Sequence, residues 1–267
     1  DFTKFIGGAG IVAAHASSLG ANVKFLSVGG NDKTKDFAVK ELAQHDVEST
    51  IFIDKNRPTT LKQRFRCKGK TLLRVSYLHQ NEIPEDLQLK IFEKIKDISS
   101  NIDLFVFSDF NYGCLPQKMV NKIVKLLNSK NILITADSQS SSQIGDISRF
   151  NGMHLITPTE HEARLSSKDI NSGLVILAEK IKKLANAKNI FLKLGSDGLL
   201  VQSNDKNFIT DRLDALNSSP KDSSGAGDSL LIVSSMVLAL KGNIWEAAGL
   251  GSLAAAIQVG RIGNIPL

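Results

Sequence analysis

Cysteine is almost missing from this sequence. Its two examples in 267 residues, Cys67 and Cys114, stand far apart and without metal-ligand spacing, which argues against a disulfide framework and against a zinc site. With no signal peptide in view, a reducing, cytoplasmic setting fits best. Tryptophan and tyrosine are also scarce, one and two residues, and no basic stripe is interleaved with aromatics. The net charge of +6 is therefore not read as a nucleic-acid surface, because lysines such as Lys90, Lys94, Lys96 and Lys118, Lys122, Lys125 are spread along solvated helix faces. Long hydrophobic runs are lacking too. The stretches 229–240 and 244–259 are broken by polar residues and fall short of the roughly 20 apolar residues that span a bilayer, so no membrane partner is expected. Gly-x-x-x-x-Gly-Lys-Ser/Thr, Gly-x-Ser-x-Gly and His-Glu-x-x-His are all absent, which removes the P-loop enzymes and the commonest hydrolase and metalloprotease signals.

What is present reads as one large α/β domain. Short apolar runs alternate with helical patterns, which argues for parallel strands joined by crossover helices in a three-layer sandwich. The expected strands are Val23 to Val28, Asp103 to Ser108, Ile132 to Ala136, Met153 to Thr157, Asn189 to Leu194 and Leu199 to Gln202. Helices are expected over Pro84 to Ser99 and Pro116 to Lys130, each opening on proline and carrying apolar residues at three and four spacing, as at Met119, Ile123, Leu126 and Leu127. Thr50 to Ile53, Thr59 to Phe65 and Thr71 to Val75 break that rhythm, being β-rich with turns and no helix between them. They read as a small antiparallel excursion. The sequence starts at Asp1 without methionine and runs directly into Gly7-Gly8, so an upstream segment is expected, and a domain following Leu267 is left open.

The most informative stretch is Asp222-Ser223-Ser224-Gly225-Ala226-Gly227-Asp228, followed by the apolar run from Ser229 to Leu240. Small residues at a helix start leave its first N–H groups uncovered, and the helix dipole favours an anion there. Asp228 is placed to accept a proton from a hydroxyl directed at a phosphorus held by those amides. The competing reading is a capped core helix with glycine in its first turn. Near the start, Gly8-x-Gly10-x-x-Ala13 with Asp32 mimics a dinucleotide fingerprint, which would make the chain an oxidoreductase or another Rossmann protein; such a fingerprint needs a hydrophobic strand just before it.

The Asp222–Asp228 heptapeptide resembles the Asp-Thr/Ser-x-Gly-Ala-Gly-Asp signature of the ribokinase-like (PfkB) carbohydrate kinases. The resemblance extends over essentially the whole chain and, within the family, is greatest to the kinases of heptose 7-phosphate that serve surface-polysaccharide precursors. It implies a mainly parallel sheet between helices with a small β lid near residues 50–76, part of which would precede Asp1. It implies transfer of the ATP γ-phosphate to a hydroxyl of a sugar or sugar phosphate. Asp228 would be the base, Gly225, Ala226 and Gly227 the anion hole, and Asp222 a ligand of a monovalent cation such as K⁺.

Other segments follow from the same resemblance. Gly7 and Gly8 would let backbone approach the sugar, and Thr157-Pro158-Thr159-Glu160-His161-Glu162 would order Mg²⁺ and its waters through Glu162, although a plain helix cap explains the same residues. Lys193-Leu194-Gly195-Ser196-Asp197-Gly198 resembles the turn beneath the ATP phosphates, with Lys193 in place of threonine and Gly195 and Gly198 giving close backbone approach; a simple hairpin is the alternative. Ser252 and Gly263 would flank the nucleotide. Asp109, at a strand end, and Lys62, Arg64 and Arg74 in the lid would meet the substrate, with alternation placing Lys62 and Arg64 on one strand face. The sequence also departs from its relatives. Ile11 replaces a sugar-binding asparagine, for which His15 could substitute, Tyr112 and Gln139 replace two lysines, and Thr159 replaces an asparagine. A non-catalytic sugar or nucleotide sensor is the rival reading. A homodimer and a fused nucleotidyltransferase domain outside this chain are compatible with the resemblance.

Overall fold

The computed structural model of the chain describes residues 3–67, 70–140, 144–205 and 209–267. Its centre is a six-stranded sheet in the order β10-β9-β8-β7-β6-β5, built from β5 (Leu104–Asp109), β6 (Leu133–Ser138), β7 (Leu155–Ile156), β8 (Asn189–Lys193), β9 (Leu199–Gln202) and β10 (Thr210–Leu213). The pairs from β5 to β8 are parallel, and β9 and β10 add two antiparallel pairs at one edge.

Strand alternation sorts the side chains to two faces. Ile156, Ile190, Leu192 and Leu200 pack with Leu87, Ile91 and Ile95 of α3 (Glu85–Ile98), Met119, Ile123 and Leu127 of α4 (Gln117–Ser129), and Leu177 and Ile181 of α6 (Leu174–Leu184). α5 (Glu160–Ser167) adds Ala163 to that layer. Leu155, Phe191, Leu199 and Val201 face the other way, onto Leu230 of α7 (Ala226–Ala239) and Ile244, Ala247 and Ala248 of α8 (Ile244–Val259). Val12 and Ala16 of α1 (Ala9–Ser18) complete that second layer against Ile232 of α7. The three layers expected from the sequence are present.

Two smaller sheets stand apart. β1 (Lys24–Gly29) pairs in parallel with β2 (Glu48–Ile53), with α2 (Lys33–Gln44) as their crossover. β3 (Leu61–Cys67) and β4 (Lys70–Tyr77) form an antiparallel ribbon. Only the second and third of the three expected lid strands are therefore antiparallel partners. The first lies in β2 and joins β1, since α2 supplies the crossover that a parallel pair requires.

Local chemistry fixes the junction between these sheets. Asp32 caps α2 by accepting from Lys35 N at 2.9 Å, and its other oxygen accepts from Thr59 N at 2.8 Å. Gly30 donates to Thr59 Oγ1 at 2.9 Å, and a Cβ on Gly30 would collide with the Arg57 carbonyl. Arg57 is itself buried, donating to Asp54 at 2.8 Å and to the carbonyls of Tyr112 and Asn81 at 2.9 and 2.8 Å. This guanidinium binds the base of the ribbon to the loop after β5.

Candidate active site

The parallel strands end on one side of the sheet, where open α/β folds gather their ligands. A single cleft there is lined by Asp109, Gln139, Thr159, Glu162 and Lys193 from below, by Lys62, Arg64, Arg66 and Arg74 of the ribbon from above, and by Gly7–Gly10 and Asp222–Asp228 at its sides. The cleft continues past Leu26 and Val28 of β1 and Phe105 of β5.

The heptapeptide folds as a turn into a helix. Asp222 Oδ1 accepts from Ser224 N at 3.0 Å, and Gly225 takes a left-handed φ of 82° as the residue before α7. A side chain on Gly225 would be strained by that backbone and would crowd Asn264 and Gln258. The first-turn amides of Ala226 and Gly227 lack intrahelical partners by geometry, which makes them donors for an anion. At Gly227 an added Cβ would come 3.1 Å from Lys193 Nζ, so the glycine lets an ammonium stand directly against the helix start.

A buried charge cluster surrounds that point. Asp228 is 6% exposed and accepts from Gln139 Nε2 at 3.0 Å. Burial, reinforced by the nearby charge of Asp137, pushes its pKa up to about 7, against the opposing pull of Lys193 and Lys62. Asp137 lies beneath the cleft and accepts from Lys193 Nζ at 2.9 Å and Thr157 Oγ1 at 3.0 Å, both at Oδ1, while its buried Oδ2 has no partner. Burial raises its pKa as well, with Lys193 opposing. Burial works against the Lys193 ammonium, but Asp137, Glu162 and Asp228 outweigh it and hold its pKa above the usual value. One ammonium thus stands among three carboxylates.

Glu162 serves its own helix as well as the cleft. Its Oε2 accepts from Thr159 N at 2.8 Å while Thr159 Oγ1 accepts from Glu162 N at 3.2 Å, a reciprocal capping box. Its Oε1 accepts from Ser140 N at 2.9 Å. No group of three or more His, Cys, Asp or Glu side chains suited to a metal occurs among the described residues. A hydrated Mg²⁺ held mostly by phosphates, with one carboxylate acting through water, is compatible with this set.

The ribbon brings its cations over the cleft at different points. Lys62 Nζ lies 5.1 and 5.2 Å from the ring centres of Phe110 and Tyr112, which stack on each other. Arg64 and Arg74 are directly opposite in the ribbon register. Arg66 Nη1 meets Asp222 Oδ2 at 3.1 Å after a register shift between Phe65 and Arg66. Asp222 also faces Gly263 N at 3.5 Å, and Gly263 adopts φ 81° against the Phe5 ring.

Several expectations need correction. Ser252 is buried in α8 and does not line the cleft. Gly198 is outside the cleft too; its φ of 87° serves close packing on the backbone of Leu213–Ala215, so the close approach there is to protein rather than ligand. Gly195, in the same turn, does line it. His15 is fully buried, its Nδ1 accepts from Leu267 N at 3.2 Å, and burial with the charge of Arg261 lowers its pKa to about 4; it cannot replace the missing asparagine at Ile11, which is core. No strand precedes Gly8 among the described residues, and Asp32 is a helix cap, so the dinucleotide reading fails. Asp109 does reach the cleft, but its oxygens already hold Arg149 at 2.7 Å and Asn111 N at 3.0 Å. Sequence reasoning missed Arg66, Arg149 and the acceptor role of Asp137, and it noted Gln139 only as a substitution.

The chain is similar to known proteins in sequence and in fold. The chain is 29% identical over 267 residues to the bifunctional protein HldE of Desulfatibacillum aliphaticivorans, covering 98% of this chain and 53% of the relative. It is 32% identical to HldE of Campylobacter jejuni subsp. doylei, covering 98% of this chain and 54% of that protein. The chain thus spans about half the length of the curated relatives it matches. In fold it is similar to the tetrameric inhibited form of phosphofructokinase-2 from Escherichia coli, with TM-score 0.79 at 18% identity over 95% of this chain and 82% of that one. The potassium complex of the same enzyme gives 0.77 at 17% identity, over 96% and 82%. Residues 1–266 match the model of the pfkB family carbohydrate kinases, and the chain belongs to that family.

Proposed function

We propose that this domain transfers the γ-phosphoryl group of ATP to a hydroxyl of a sugar phosphate. The observation that carries the reading is Asp228: a buried carboxylate with a pKa of about 7, one residue past the amides of a helix start and below a row of basic side chains. The acceptor oxygen attacks the γ-phosphorus, its proton passes to Asp228, and ADP leaves. The Gly225–Gly227 segment and Lys193 stabilise charge on the transferring group from one side, a positioning and electrostatic task that needs no covalent intermediate. ATP would lie along Lys193, Gly195 and Gly263. Mg²⁺ entering with ATP would be held through water by Glu162 and would neutralise phosphate charge. Asp222 is the proposed K⁺ ligand, in competition with Arg66.

The acceptor lies toward Gly7, Gly8, Asp109 and the ribbon. Arg64 directly opposite Arg74 is a like-charge pair that is unfavourable without an anion between or beside it, which favours a phosphorylated sugar. The HldE relatives make heptose 7-phosphate the first candidate, and their greater length fits a nucleotidyltransferase domain accompanying this one. The ribbon exposes Phe65, Leu72, Leu73 and Tyr77, which fits a homodimer.

ADP release measured over matched phosphorylated and unphosphorylated sugars tests the assignment. Turnover is expected with a sugar phosphate, and Arg64→Ala should weaken its binding by about 1.5–3 kcal/mol with ATP affinity unchanged. Preference for the neutral sugar would rule out the anionic acceptor, and binding without any ADP release would favour a non-catalytic relative of the kinases.

A further inference from the structure

Gln139 leaves the end of β6 and crosses to the first turn of α7, where its carboxamide meets the proposed base at 3.0 Å. Its backbone is held on both sides: its N–H donates to the Asp109 carbonyl at 2.9 Å, and its carbonyl accepts from Asn111 Nδ2 at 2.9 Å. We infer that Gln139 is a positioning residue for phosphoryl transfer, fixing Oδ1 of Asp228 so that Oδ2 is the oxygen that takes the acceptor proton, and setting the pH at which that oxygen is available.

The inference rests on Asp228 being the base. A neutral amide donor favours the ionised carboxylate by one hydrogen bond without adding a full positive charge. An ammonium at the same place would hold Asp228 ionised far below neutrality and make it a weaker proton acceptor. The charged groups facing Asp228 are Asp137 from β6, which raises its pKa, and Lys193 from β8 and Lys62 from β3, which lower it; Gln139 is the uncharged group in direct hydrogen-bond contact with it.

The test follows the Asp228 carboxyl directly by ¹³C NMR titration of the whole domain without ligands, the signal being assigned by its loss in Asp228→Asn. Gln139→Leu should raise the Asp228 pKa by about one to two pH units, the equivalent of one charge-assisted hydrogen bond. Gln139→Glu, nearly the same shape, should raise it as well, while Gln139→Lys should lower it. The pH at half-maximal ADP release should move the same way in each variant. Glutamate also serves if leucine or lysine prevents folding. An Asp228 titration unchanged in the folded variants would overturn the inference and leave the base assignment standing, whereas persistent sugar-dependent ADP release in Asp228→Asn would overturn the base assignment instead.

Discussion

At the scale of single residues, function and stability pull in opposite directions at Asp228. Its carboxyl has a folded pKa near 7, well above its ordinary value, so the native state binds that proton more tightly than the unfolded chain does. Stability from this group therefore falls as pH rises from the unfolded value toward 7, and the penalty is full above it. Asp228→Asn should accordingly be more stable than wild type at pH 8, by about 1–4 kcal/mol, with no such gain near pH 3. Chemical denaturation at the two pH values measures this. Activity has the opposite sign: the base works only when ionised, so the rate should climb through an acid limb near pH 7. Lys193 is the counterweight. Lys193→Met leaves Asp137 buried without its cation and should cost about 3–5 kcal/mol, seen as a lowered denaturation midpoint. The glycines and the two aspartates of the heptapeptide were legible in the sequence because their spacing carries backbone chemistry. Asp137 and Gln139 were not, since their roles come from distances across 56 and 89 residues that no local pattern encodes.

At the scale of elements, the ribbon is the part least tied to the core. β3 and β4 form a two-stranded sheet that pairs with no other strand among the described residues, and their apolar residues Phe65, Leu72 and Leu73 are exposed. The Arg66–Asp222 pair joins them to the heptapeptide across 156 residues, with both side chains partly open to solvent. Such a pair contributes about 1 kcal/mol or less to global stability, yet it is placed to hold the ribbon over the cleft. Arg66→Ala should therefore leave the melting temperature nearly unchanged while speeding amide exchange along 61–67 and 70–77, as hydrogen-exchange mass spectrometry would show. Equal exchange in both proteins would mean that the pair does not restrain the ribbon. The elements themselves were readable to within a residue or two where hydrophobic periodicity was strong, as in α3, α4, β8 and β9. β10 escaped because Thr210–Leu213 is short, charged and at a sheet edge. The partner of Thr50 to Ile53 escaped because alternation reveals a strand without saying which strand it joins.

At the scale of the whole molecule, the layers place chemistry at one end of the sheet. Helices on both faces bury the strands, leaving the C-terminal strand ends and the start of α7 as the place where polar groups can gather without disturbing the core. The alternation of strand and helix made that architecture legible, and the order of motifs along the chain made the family legible. The convergence of β6, β8 and α7 into one charge cluster was not, because it depends on how the layers stack. The central claim is that this cluster transfers phosphate with Asp228 as its base. ³¹P NMR of ATP and Mg²⁺ mixed with heptose 7-phosphate, followed in wild type and in Asp228→Asn, tests it most directly. The account predicts a new phosphate-ester signal appearing in step with ADP in wild type and slowed by about 10²–10⁴-fold in the variant. Near-equal rates of ester formation in the two proteins would contradict it.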